Sequence, residues 1–143
     1  MLDLPFRSAK QLAADIRRKK IGCLELLDTY LARVDTYNPR LNAIVVTDRD
    51  GARRRARAAD AALRKGKAWG PLHGVPMTVK ESYDVVGMPT TWGAPELKDN
   101  RPSRNALAVG PPARRGRGAL RQEQCAAHAR RLAELQRGVR LHQ

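Results

Sequence analysis

"GPLHGVPMTVKES", residues 70–82, decides how this chain is read. Gly70, Pro71, Gly74 and Pro76 punctuate a turn, after which Val75, Met77 and Val79 alternate with Thr78 and Lys80. In a strand, that alternation puts the three apolar side chains on one face and Thr78, Lys80 and Ser82 on the other. A lysine fixed between apolar neighbours loses hydration, which disfavours its charged form and lets it take a proton. Lysine is a known partner base for a serine nucleophile. Lys80 is therefore the candidate general base, set against the plainer reading of a strand-end lysine reaching solvent.

Upstream of that stretch the pattern is helical. Ser8 and Gln11 have capping-box spacing at the start of "SAKQLAADIRRKK". Leu12 and Ile16 recur at i, i+4, and the basic run Arg17–Lys20 complements the end of the helix, which Gly22 closes. A second helix is predicted from Cys23 to about Tyr37, with Leu24, Leu27, Leu31 and Val34 as its apolar stripe. Asn38-Pro39 is expected to stop it, since a residue before proline is pushed away from the α region. Ile44, Val45 and Val46 read as a short β-branched strand. The arginine- and alanine-rich run 49–66 reads as a third helix ending at Gly66, its arginines forming a solvated face. Helices alternating with strands make the expected class α/β.

Length and composition bound the rest. A chain of 143 residues can bury one real core but not two. Its net charge is +14, and the basic excess is uneven. Residues 1–109 carry 20 basic and 12 acidic side chains, whereas residues 110–143 carry 8 arginines and 2 glutamates. That last stretch contains no Ile, Phe, Tyr, Trp, Ser, Thr, Asp or Lys, and only Ala126 to Leu135 reads as a possible helix. Cys23 and Cys125 form neither a disulfide framework nor a metal-ligand spacing, so no metal and no cofactor is expected. No apolar run approaches the length of a membrane span, and no signal peptide is read at the N-terminus; a reducing, cytoplasmic setting is the default expectation.

The lysine stretch resembles the conserved lysine segment of the amidase signature hydrolases. The preceding helices, with "YLARVDTYNPRLNAIV" (residues 30–45), resemble that family's N-terminal region, and the resemblance runs from about Leu4 to Val109. It implies a partial amidase-signature fold, N-terminal helices followed by the first strands of a mixed sheet. It also implies hydrolysis of a small-molecule carboxylic amide by a serine nucleophile, a second relay serine and a lysine as ultimate base. By that match the base is Lys80. The family's two serines lie in a downstream Gly/Ser-rich segment, whereas the serines here are Ser8, Ser82 and Ser103, none in such a setting. Ser82, two residues from Lys80, is a poor candidate nucleophile because nothing beside it in sequence builds an oxyanion hole.

The expected division is thus residues 1–109, the N-terminal part of an amidase domain, and residues 110–143, a basic tail foreign to the family. An excess of Arg, Ala, Gly, Pro and Gln is what GC-rich coding DNA yields when read out of frame. Back-translated and shifted by one base, residues 110–143 admit a reading with the Gly-Lys-Ser-Asn stretch expected of the family. A chain lacking the serines is expected to be inactive. Two other readings compete. A small basic nucleic-acid-binding protein fits the charge, but six aromatic residues and no recognisable module argue against specific nucleic-acid binding. The other is a component of a glutamyl-tRNA amidotransferase resembling its amidase-type chain, since the family includes it.

Overall fold

The computed structural model describes residues 4–109, and the predicted tail lies outside them. Three α-helices carry the architecture: α1, Ala9–Arg17; α2, Cys23–Leu41; and α3, Arg49–Arg64. Single 3-10 turns occur at Leu4–Phe6 and Pro95–Leu97.

Helix α1 begins as its sequence dictates. The Ser8 hydroxyl accepts the Gln11 N–H at 3.3 Å and the Gln11 side chain accepts the Ser8 N–H at 2.8 Å, satisfying two donors that a helix start leaves free. The helix ends earlier than the sequence pattern implies. Arg18 is the cap residue, and Lys19 turns into the left-handed region at φ 57°. Gly22 belongs to the next helix, as the N-cap of α2. A glycine has no side chain to offer the free N–H groups, so α3 supplies one. The Asp60 carboxylate accepts the N–H groups of Cys23 at 2.8 Å and Leu24 at 3.2 Å.

Helix α2 runs through Asn38-Pro39 to Leu41, a correction to the predicted stop near Tyr37. The bias of a pre-proline residue against the α region is overridden by local hydrogen bonds. The Asn38 side chain donates to Ile44 O at 2.7 Å and accepts Ile44 N–H at 2.8 Å, and the left-handed Asn42 donates its N–H to Asn38 O at 2.7 Å.

The core lies where the three helices meet. Leu12, Ala13 and Ile16 of α1 pack with Cys23, Leu26, Leu27 and Leu31 of α2 and with Ala52, Ala56 and Ala59 of α3. Leu24 and Val34, expected at the centre of the α2 stripe, are only partly buried, because Leu26 takes the inward position. Small residues spaced four and three apart let α3 lie close against α2. Arg53 Nε donates to Asp28 Oδ1 at 2.9 Å and Arg49 pairs with Asp35 across the same interface. Arg49 holds the exposed Asp35 carboxyl below the usual carboxylate range by hydrogen bonding. Arg54, Arg57 and Arg64 are exposed, the solvated face expected of them.

Neither predicted strand forms among the described residues. Ile44–Val46 is an irregular connection, and in Val75–Val79 only Met77 makes an isolated bridge. The α/β expectation is therefore corrected to an all-helical core followed by irregular chain. A strand exists through its ladder, and alternating apolar residues fix which side chains are buried without supplying a neighbour to pair with. The burial follows the reading in part: Val75 and Val79 are buried against exposed Thr78 and Lys80, but Met77 is only partly buried.

A second, smaller cluster holds the chain beyond the helices: Val79, Val85, Met88 and Val109, with Val46 and Ala106 against it. Among the described residues, its four buried side chains give a far weaker hold than the twelve around the helices. Amide hydrogen exchange should therefore proceed in two stages, residues 77–109 first and the helical core later. A single cooperative exchange step across both regions would contradict this division.

Candidate active-site segment

The lysine segment is pinned to the helical core at its N-terminal end. His73 is buried, and its Nδ1 accepts the Trp69 N–H at 3.0 Å while its Nε2 lies 3.2 Å from the Ala59 carbonyl of α3. These partners assign the neutral Nε2–H tautomer. The Trp69 and His73 rings meet edge to face at 5.3 Å, and Arg55 of α3 lies over the Trp69 ring at 4.4 Å. From α1, Arg17 donates to the carbonyls of Gly70 (3.2 Å) and Pro71. Gly74 follows in the left-handed region at φ 74°, its backbone pressed against Cys23. Val75 then enters the helical core.

Burial pushes the His73 imidazole below its ordinary range, and Arg17 adds to this, against opposing contributions from the Ala59 hydrogen bond and the Asp60 charge. The unfolded chain therefore binds a proton at this histidine that the folded chain does not. Stability contributed by neutral His73 is complete above the unfolded value near 6.5 and declines as the pH falls below it. The wild-type chain should lose stability between about pH 7.5 and 5.5 more steeply than a His73→Gln variant. Equal slopes in urea titrations would refute this.

Beyond the pinned turn, Val79 is buried, Lys80 is exposed and Glu81 is buried again. The desolvated setting expected of Lys80 is thus not present: its side chain faces solvent. Its backbone is nevertheless fixed. The Tyr83 N–H donates to Lys80 O at 3.0 Å, closing a turn over residues 80–83. The adjoining Glu81 carboxylate accepts the N–H groups of Thr91 and Trp92, the latter at 2.8 Å, and the Thr91 hydroxyl at 2.7 Å. Ser82 is half-buried. Sequence reasoning singles out Lys80 but passes over Asp60, His73 and Glu81, each of which bonds to a residue ten or more positions away.

Among the described residues no group of three His, Cys, Asp or Glu side chains could hold a metal, and no helix is long and apolar enough to cross a membrane.

Residues 25–113 match the Amidase family, and the chain belongs to it. It is 37% identical over 107 residues to an acylamidase of Rhodococcus erythropolis, a match covering 75% of this chain and 22% of that protein. It is 45% identical over 92 residues to an indoleacetamide hydrolase of Bradyrhizobium diazoefficiens, covering 64% and 18%. A glutamyl-tRNA(Gln) amidotransferase chain of Acidothermus cellulolyticus is 38% identical over 109 residues, covering 76% and 22%. A bacterial aryl acylamidase of the amidase signature family superposes with a TM-score of 0.63 at 31% identity, covering 67% of this chain and 20% of that one. The chain spans about a fifth of the length of the curated relatives it matches.

Proposed function

We propose that residues 1–109 are the lysine-bearing N-terminal part of a carboxylic-amide hydrolase, and that Lys80 is its general base. The observation that carries this reading is the seating of residues 70–82. Their turn is fastened to all three helices, through Arg17, Cys23 and Ala59, and ends with Lys80 projecting into solvent while its neighbours Val79 and Glu81 are buried. A side chain set on so constrained a backbone needs no further ordering of the main chain to be brought to a reacting group. Tyr83, Val86, Trp92, Leu97 and Leu107 are exposed around and beyond it, which supports a surface that packs against further chain.

The same reading makes the 143-residue chain inactive. Lys80 has no serine in a Gly/Ser-rich setting to serve, and a lysine alone activates water only weakly. Residues 110–143 are on this reading encoded one base out of frame. The match to the family ends at residue 113, close to where the composition changes. The substrate is an amide of unspecified acyl group; acylamidase and amidotransferase relatives match almost equally well and do not divide the choice.

The purified chain should hydrolyse no aryl or fatty amide above background. Turnover that is lost in Lys80→Ala but retained in a neutral surface variant such as Lys67→Ala would overturn the inactivity. DNA sequence across codons 100–150 tests the frame: removing one base near codon 110 should open a frame running to a Gly/Ser-rich stretch, and an early stop in that frame would refute it.

A further inference from the structure

We propose that Glu81 is the positioning residue for Lys80, acting through the loop Thr91–Gly93; this rests on the reading of Lys80 as the base. The two side chains are neighbours with opposite fates, Lys80 exposed and Glu81 6% exposed. A buried carboxylate is tolerated only when its oxygens are hydrogen-bonded. Glu81 meets this condition with donors from one short loop. Its carboxylate accepts the N–H groups of Thr91 and Trp92, with Trp92 N at 2.9 Å from Oε1 and 2.8 Å from Oε2, and accepts the Thr91 hydroxyl at 2.7 Å.

The loop adopts an uncommon conformation at the point of contact. Trp92 lies in the left-handed region at φ 54°, followed by Gly93 at 73°. Bulky residues rarely adopt that conformation, and it persists only where the surroundings enforce it. Two carboxylate oxygens gripping the Trp92 N–H supply the enforcement. The loop is fixed on its other side as well: Thr90 N–H donates to Asn100 O at 3.2 Å and the Asn100 side chain donates to Thr90 O at 2.7 Å. Glu81 therefore ties the backbone that bears Lys80 to a braced loop, while the Lys80 carbonyl holds the Tyr83 N–H. The lysine backbone is fixed on the buried side by a carboxylate clamp, and its amine is left to point outward. Neutral glutamine cannot take this role in full, since its NH2 group would face N–H donors.

The test uses the full 143-residue chain as wild type, Glu81→Gln, Glu81→Ala and Glu81→Asp. Amide exchange at Thr91 and Trp92 reports the clamp. Trace acetylation of Lys80 across about pH 7–11, quantified by mass spectrometry against Lys65 and Lys67, reports the lysine. Glu81→Gln and Glu81→Ala should speed exchange at Trp92 at least about tenfold and change the Lys80 labelling profile severalfold relative to the reference lysines. Glu81→Asp, which keeps the charge, should recover part of both. Circular dichroism checks that the helices persist; if Glu81→Ala unfolds them, Glu81→Gln carries the decision. An unchanged Trp92 exchange rate would overturn the clamp, and faster exchange with an unaltered Lys80 profile would reduce Glu81 to a loop support and overturn the positioning role. These readouts do not depend on amide hydrolysis. A Lys80 that proves dispensable in a catalytically complete enzyme would sink the general-base reading while leaving the clamp result standing.

Discussion

Gly74→Ala should be the most damaging single substitution in the lysine segment. The residue sits at φ 74°, where a side chain with a Cβ costs roughly 1–2 kcal/mol. A Cβ placed there would also lie 2.3 Å from Cys23 Sγ, 3.1 Å from Cys23 Cβ and 3.3 Å from Ile16 Cδ1, all inside the helical core. Overpacking of this kind typically adds about 1–3 kcal/mol. The sum, about 2–5 kcal/mol, is a large share of a stability that for a domain of this size is of order 5–15 kcal/mol. Gly66 provides the control, since it has φ 71° but nothing within 4 Å of the added carbon. Gly66→Ala should cost only the conformational part, about 1–2 kcal/mol. Cys23→Ala, by removing the sulfur, should recover part of the Gly74→Ala loss without helping Gly66→Ala, a coupling that a double-mutant cycle measures. Equal losses at Gly66 and Gly74 would show that the contact between the lysine turn and helices α1 and α2 is not the tight one described.

What is legible in the sequence is whatever is written over a few neighbouring residues. Ser8 and Gln11 announce α1, Leu12 and Ile16 its buried face, and Gly66, at φ 71°, the chain just beyond α3. The end of α2 is not read correctly because the rule for residues before proline is a bias, and Asn38 uses its side chain on Ile44 to keep the last turn intact. Asn42 is the cue that marks the true end, as asparagine often takes the left-handed position after a helix. The predicted strands fail for a different reason. Their apolar alternation reports burial, which Val75 and Val79 obey, whereas a ladder needs a partner that no local pattern can promise.

The site divides the same way. Lys80 is visible because its setting is local, a charge ending an apolar alternation behind a Gly/Pro turn. The buried polar residues that brace the helices and the segment are not. Asp60 reaches back to Cys23 and Leu24, His73 to Ala59, and Glu81 forward to Thr91 and Trp92. A buried polar residue announces itself only once its distant partner is known, so spacing rules are blind to it. The exposure of Lys80 is what the plainer reading of a strand-end lysine foresees; the desolvated setting fails because it depends on what else packs nearby.

The central claim is that this lysine is a base waiting for a nucleophile, and hydrolysis after restoring the frame tests it most directly. With one base removed near codon 110 and the downstream frame expressed, the product should cleave an aryl amide that the 143-residue chain leaves intact. In that background Lys80→Ala should lower kcat/KM by roughly 10²–10⁴-fold, the range for loss of a general base. Lys67→Ala, a change at an exposed lysine just beyond α3, should leave it unaltered. A restored, folded enzyme whose amide hydrolysis is indifferent to Lys80→Ala would contradict the account.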